Sequence, residues 1–223
     1  MKISERLKTI ASLVPPSSYP LDIGCDHALL SIYLVEERNF SKVVASDNKK
    51  GPLEQAKKNA SSYQVSDKIQ FVLAEGLDAY QEGVDTLTIS GMGGLNINRI
   101  LLDHKELLKK MKTIILSPNN YSVAVRRNLV KLGYFVKEEM VVKENNLYYP
   151  ILVFERGKKF YFEKDLFLGP ILKQKNKETL VLSYYQKLLQ EKELLLKALP
   201  SSFYQKRRQT KKEIKWLKKV LES

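Results

Sequence analysis

Two short stretches concentrate the side chains able to do chemistry. In LDIGCDHALL, Leu21 to Leu30, an apolar run ends at Gly24 and is followed by Asp26 and His27. In TISGMGG, the last four residues, Gly91 to Gly94, include three glycines. A glycine closing an apolar run lets backbone approach a ligand closely. A dinucleotide-binding loop would carry G-x-G-x-x-G, so that a pyrophosphate rests on bare amides at a helix N-terminus. Here that place holds the carboxylate of Asp26, which repels a pyrophosphate and attracts a cation. Asp47 stands 23 residues after Gly24, close to the spacing at which an acid accepts hydrogen bonds from ribose hydroxyls. Glu75, followed by Gly76, adds a third acid, suited to an adenine amino group. A nucleoside bearing a sulfonium and an α-ammonium suits all three acids, so the set points to S-adenosyl-L-methionine. The plainer reading of Asp26 is a helix cap, and the two uses are compatible.

Other chemistries fit poorly. Cys25 is the only cysteine and His27 and His104 are the only histidines. A structural zinc site would then need ligands the chain lacks, and no metal is expected. No apolar run approaches the ~20 residues of a membrane span, and the N-terminus MKISERLKTI has no apolar signal core. The expectation is a cytoplasmic protein without a membrane partner. The net charge of +13 is uneven: residues 1–156 hold 21 Lys and Arg against 18 Asp and Glu, and residues 157–223 hold 17 against 7. Clustered cations gain by displacing the counterions of a polyanion.

The elements that must position these residues follow from the apolar pattern. Short β-rich runs, YPLDIG, KVVASD, IQFVLAE, VDTLTIS and KTIILSP, alternate with helical patterns ALLSIYLVEE, GPLEQAKKNASS, NINRILLDHKELLKK and YSVAVRRNLVKLG. That alternation predicts a parallel sheet with right-handed crossovers. YFVKEEMVV and YPILVFER are separated only by the polar KENN, which predicts an antiparallel edge hairpin. A leading helix is expected over residues 2–13, ending before Pro15-Pro16. Ligands of such a sheet bind beyond the carboxyl ends of its strands, where Gly24, Asp47, Glu75, GMGG and the loop SPNN (Ser117 to Asn120) all fall. Beyond residue 157 the β signal fades. Residues 165–198 read as helix, Pro200-Ser201-Ser202 breaks it, and Phe203, Thr210, Ile214, Leu217 and Leu221 form a heptad-like seam. An antiparallel helical hairpin is the economical outcome.

With these motifs in hand, the chain resembles the bacterial tRNA (adenine(22)-N1)-methyltransferase family, TrmK. The resemblance is carried by ISERL, LDIGCDHALL, ASDNKKGPLEQAKKN, AEGL, TISGMGG with the following NRIL, and SPNN with VRRNL behind it. It departs at Cys25, Ser46-Asp47, Glu75 and Ser117, where members often carry Ser, Gly-Glu, Asp or Asn, and Gln. It implies an α/β fold, a Rossmann-like class I methyltransferase sheet over 1–156, and a basic coiled-coil hairpin over 157–223. It also implies methyl transfer from S-adenosyl-L-methionine to N1 of adenine 22 in tRNA, by an enzyme expected to be a monomer, in which positioning does much of the work. The candidate cofactor residues are Asp22, Gly24, Asp26, His27, Asp47, Asn48, Glu75, Gly76, Gly91 and Met92. Glu75 and Asp26 are the candidate catalytic acids. Arg6, Arg126, Lys206, Arg207 and Arg208 are the candidate RNA contacts, with Arg127, Lys211 and Lys212 nearby. Two other readings stay open: a methyltransferase for another RNA or a small substrate, and a non-enzymatic RNA-binding protein with a degenerate nucleotide fold.

Overall fold

A computed structural model describes residues 1–222. The first helix, α1 (Glu5–Leu13), is capped by the Ser4 hydroxyl, which accepts from the Leu7 amide. It leads into β1 (Pro20–Ile23), α2 (Leu29–Glu36), β2 (Val43–Asp47), α3 (Lys50–Ser62), β3 (Ile69–Leu73) and β4 (Thr86–Ser90). Then follow α4 (Gly94–Asp103), α5 (Lys105–Leu108), β5 (Thr113–Ser117), α6 (Ser122–Lys131), β6 (Tyr134–Glu144) and β7 (Leu147–Arg156). Helices α7 (Glu163–Leu168), α8 (Thr179–Ala198) and α9 (Tyr204–Leu221) complete the chain.

The seven strands form one sheet in the order β3-β2-β1-β4-β5-β7-β6. The first five are parallel, and β7 pairs antiparallel with both β5 and β6. All four residues of β1 are buried, as expected for a strand covered by helices on both faces. One core layer contains Ile10, Leu34 and Ala56 from α1, α2 and α3, and the other contains Ile97, Leu101, Val125 and Leu129 from α4 and α6. Helix α2 buries residues around most of its circumference, because α1 packs against it. Strands β2 and β4 flank β1, so the chain order reverses there, and a crevice forms at the carboxyl ends of β1 and β4. The β6–β7 turn is Asn145-Asn146, with φ of 49° and 61°; two left-handed residues match the twist of a two-residue hairpin.

Four expectations need correction. The helix read over 165–198 is divided: α7 ends at Leu168, Gly169 turns the chain with φ of 94°, and α8 starts only at Thr179. The pattern over 96–110 is not one helix: it breaks at His104, whose Nε2 lies 2.9 Å from Asp78 and whose Nδ1 lies 3.1 Å from the Ile100 carbonyl oxygen. His104 is therefore a partnered joint rather than a solvated helix residue. In the tail hairpin, Thr210, Leu217 and Val220 are buried and Leu221 is partly buried beside them while Phe203 is exposed, so the seam omits Phe203 and gains Val220. The largest correction concerns Arg126, expected as an RNA contact. It is 1% exposed, with Nε 2.5 Å from the Glu139 carboxylate and Nη1 3.3 Å from the Leu166 carbonyl oxygen. The other Glu139 oxygen accepts the amides of Ile171 and Leu172 at 2.8 and 3.2 Å. Arg126 thus ties α6 to β6 and α7, Glu139 adds the segment after α7, and the buried guanidinium offers nothing to a nucleic acid.

That tie crosses the boundary expected at residue 156. Phe167, Leu168, Leu172, Val181, Tyr185, Leu217 and Val220 share a buried cluster with Val141 of β6. The tail is therefore packed against the sheet's edge hairpin. Helices α8 and α9 run antiparallel, joined by Lys192–Glu213 at 2.6 Å and Lys218–Glu193 at 3.1 Å. No described helix is long and apolar enough to cross a membrane.

Candidate active site

The loop after β1 is held in an unusual backbone shape. Gly24, Asp26 and Ala28 have φ of 71°, 50° and 54°. Left-handed conformations at two non-glycine residues are costly and persist only where surroundings impose them. The amides of Gly24 and Cys25 both donate to the Ser46 carbonyl at 2.9 Å, which pins the loop to the end of β2. Asp26 does not cap α2: the helix starts from Ala28 without a side-chain cap. Its carboxylate is exposed, 3.7 Å from Nε2 of His27. The cap reading of Asp26 is thereby set aside. Cys25 is buried, which pushes its thiol pKa upward, so it fills space as a neutral group.

Asp47, at the end of β2, accepts the Lys49 amide at 2.9 Å on one oxygen and the Asp26 amide at 3.4 Å on the other. One carboxylate thus fixes two loops and keeps lone pairs for a ligand. Asp22 is buried beneath, accepting the Ser31 hydroxyl at 3.0 Å and the Thr88 hydroxyl at 3.1 Å. Burial raises its pKa to about 6, against the opposing pull of those hydroxyls. A groove of about 420 Å³ is lined by Asp22, Gly24, Asp26, His27, Asp47, Asn48, Gly91 and Met92, with Arg6 of α1 at its wall. A neighbouring hollow shares Gly24, Asp47, Asn48 and Met92 and adds Glu75, Gly76 and Arg99. The two are one trough across the ends of β1, β2 and β3.

The structure does not gather both candidate catalytic acids at one point: Asp26 lines the groove under α1, whereas Glu75 lines only the β3 end. There Glu75 accepts from Asn48 at 3.4 Å and from Arg99 at 2.7 Å. The Asn48 amide and the Arg99 guanidinium hold its carboxyl below the usual glutamate pKa.

GMGG and SPNN interlock. The Met92 side chain occupies the space a Cβ on Gly24 would need, its Cε 2.2 Å from that position. A Cβ on Gly94 would stand 2.4 Å from the Asn120 carbonyl oxygen, so only glycine permits this approach. Asn120 accepts the Gly94 amide at 3.0 Å, and Asn119 donates to the Gly91 carbonyl at 2.6 Å. SPNN is thus a brace for the glycine turn, a role that turn chemistry alone did not reveal. Arg6 reaches Asn119 at 3.5 Å and lies 4.3 Å over the Tyr149 ring.

In the tail, Lys206, Arg208, Lys211 and Lys212 are exposed. Arg207 differs: it donates to the Leu196 carbonyl at 3.0 Å and to that of Leu199, closing the end of α8. Its expected RNA contact gives way to this cap, because orphan carbonyls at a helix end attract a cation. Arg127 pairs with Glu163. Among the described residues, no group of three or more His, Cys, Asp or Glu could hold a metal ion.

Does the trough suit S-adenosyl-L-methionine? Its acids at Asp22, Asp26 and Asp47 suit a cationic nucleoside better than a pyrophosphate, and the space that Gly24 leaves open is filled by Met92, which lines the groove. The sheet order and the switch-point trough are those of a Rossmann-like methyltransferase, a class dependent on S-adenosyl-L-methionine. The chain belongs to the tRNA (adenine(22)-N(1))-methyltransferase family, whose model matches residues 20–219. The tRNA (adenine(22)-N(1))-methyltransferase of Bacillus subtilis is 33% identical over 184 residues, covering 79% of this chain and 77% of that protein. The Streptococcus pneumoniae protein Sp1610, solved in complex with S-adenosyl-L-methionine, superposes with a TM-score of 0.89 at 33% identity, covering 99% of this chain and 100% of that one. The structure of M. capricolum TrmK with S-adenosyl-homocysteine has a TM-score of 0.85 at 27% identity, covering 100% of this chain and 99% of that one.

Proposed function

We propose that this chain, a cytoplasmic monomer, methylates N1 of adenine 22 in tRNA with S-adenosyl-L-methionine, and that the trough holds the cofactor. The observation that carries the reading is the convergence of Asp22, Asp26 and Asp47 on one groove at the sheet's switch point, in a member of this family. The buried seam residues Thr210, Leu217 and Val220 are covered within the chain, which supports a monomer. A tRNA substrate supports the cytoplasm.

When bound, the cofactor supplies a methyl group made electrophilic by its sulfonium. Asp47, already oriented by two amides, is assigned the ribose hydroxyls. Asn48, Glu75 and Gly76 are assigned the base end, and Asp22, Asp26 and His27 the amino-acid end. Glu75, engaged with Arg99, keeps the cofactor-binding role expected of it and gives up the catalytic one. On the acceptor, N1 carries a lone pair in the ring plane, whereas that of N6 is delocalised, so N1 attacks without a base. Asp26, exposed at the groove between the cofactor's amino-acid end and solvent, is also assigned the positive charge that develops on the methylated ring. N1 lies on the Watson–Crick edge, so the adenine must leave its stack or pair. Lys206, Arg208, Lys211 and Lys212 are assigned the tRNA backbone.

The test uses cofactor labelled in its methyl group and two tRNA transcripts, one with adenine and one with guanine at position 22. Digestion should return label in 1-methyladenosine from the first and none from the second. Label on N6, or retained by the guanine transcript, rejects the assignment.

A further inference from the structure

Beside the trough lies a second cleft that the reaction does not use. It has a volume of about 510 Å³ and lies between the SPNN loop, the β6–β7 turn and α8, so sheet and tail both form its walls. Four tyrosines line it: Tyr121, Tyr148, Tyr149 and Tyr184. Tyr121 is 59% exposed although it follows the bracing asparagines with φ of 52°. Tyr148 and Tyr184 pack with ring centroids 6.0 Å apart at 55°, tilted rather than face to face, and Tyr184 also packs on Tyr185. Cations surround the rings. Lys143 lies 5.5 Å over Tyr148, Arg6 covers Tyr149, and Lys187 lines the wall beside Glu191, which it faces at 3.8 Å. Asn146 adds amide groups able to read a base edge.

We infer that this cleft stacks an unpaired nucleobase next to the acceptor adenine, resting on the tRNA reading given above. The exposed ring of Tyr121, the half-buried rings beside it and flanking cations are the kind of surface on which proteins hold single-stranded nucleic acid. The occupant is not the acceptor itself, because Arg6 separates the cleft from the cofactor trough. The guanidinium spans from the trough wall to the Tyr149 ring and Asn119, and the reacting base must lie on the trough side. The cleft is continuous with the brace of the glycine turn, since Asn119 and Asn120 line it and hold Gly91 and Gly94. A neighbour stacked there holds the strand distorted while the acceptor is extruded. Substrate recognition then depends on the joint between sheet and tail.

The experiment uses full-length enzyme and tRNA carrying 2-aminopurine at position 21, 22 or 23, with S-adenosyl-homocysteine as the bound cofactor product. Wild-type enzyme should quench the probe at 21 or 23 by stacking. Tyr121→Ala and Tyr148→Leu should abolish that quench and raise KM for tRNA at least about fivefold, the loss of one base–aromatic stack. Their affinity for S-adenosyl-L-methionine should be unchanged, and Tyr148→Phe, which keeps the ring, should retain both quench and KM. Unquenched flanking probes, or quench and KM intact in both truncations, overturn the cleft. So does a tyrosine-dependent quench confined to position 22, which would make the cleft the acceptor site. The fluorescence needs only binding, so the two readings fail separately. Quenching of a flanking base without methylation keeps the cleft and sinks the reaction; methylation without that quench does the reverse.

Discussion

The trough and the α8–α9 hairpin handle charge in opposite ways. At the sheet edge, polar groups are spent on one another: Asp47 on two amides, Asp22 on two hydroxyls, Asn119 and Asn120 on the glycine turn. At the hairpin, Lys206, Arg208, Lys211 and Lys212 stand in solvent. Fixed hydrogen bonds suit a small ligand whose atoms must be placed within fractions of an ångström. Loose cations suit a polyanion, where gain comes from released counterions more than from geometry. The division is one of precision against field strength, and Arg126–Glu139 is the joint that keeps the two in register.

Breaking that joint should have the largest effect. Arg126→Ala leaves the Glu139 carboxylate buried without its cation, at a cost of about 3–5 kcal/mol. Thermal unfolding of the full chain should show this loss, whereas Arg127→Ala, at an exposed pair, should move the midpoint little. Equal midpoints for the two variants would mean that the regions are not held by this tie.

Asp47→Ala sharpens the other side of the comparison. It removes an oriented carboxylate from the trough and should weaken cofactor binding by about 1–3 kcal/mol, as for the loss of charge-assisted hydrogen bonds. Affinity for tRNA in the absence of cofactor should hardly change. Calorimetry with S-adenosyl-L-methionine checks the first part, and filter binding the second.

A smaller effect follows from Asp22. Its pKa of about 6 lies above the ordinary 3.8, so between those values the folded chain holds more protons than the unfolded one. The stability this contributes is present at low pH and lost as pH rises through about 6. Cofactor binding runs the other way, because a cationic ligand favours the ionised carboxyl. Affinity for S-adenosyl-L-methionine should therefore fall as pH is lowered through about 6, by at most about 1.4 kcal/mol per pH unit. Asp22→Asn should flatten that dependence, and a wild-type affinity constant between pH 5 and 7 would remove Asp22 from the ligand's field.

The sequence was most legible where local pattern and tertiary role agree. The strand runs ending at Gly24, Asp47 and Glu75 carry apolar residues that only a sheet can bury, and their ends fall along one edge. Arg126 was not legible for a specific reason. A bulge between Val136 and Glu138 inserts one residue into β6, and a one-residue shift exchanges the faces of a strand. Tyr134 and Val136 face α6, and after the bulge Glu139 takes that face in place of Glu138. Nothing in KEEM distinguishes the two glutamates, so VRRNL reads as an exposed basic pair and Arg126 as an RNA contact. The break at His104 was hidden likewise, because Asp78, its partner, lies 26 residues away. Arg207 was read among equals; its position beside the end of α8 singles it out.

The most direct test of the division of labour measures both ligands on one protein. In the variant with Lys206, Arg208, Lys211 and Lys212 all changed to Glu, tRNA affinity is followed against salt and S-adenosyl-L-methionine affinity at one salt. The account predicts unchanged cofactor affinity, weaker tRNA binding, and a log–log salt slope reduced by roughly 0.7–0.9 for each phosphate that is no longer neutralised. A salt slope equal to that of the wild type would contradict it, and would return tRNA binding to the sheet.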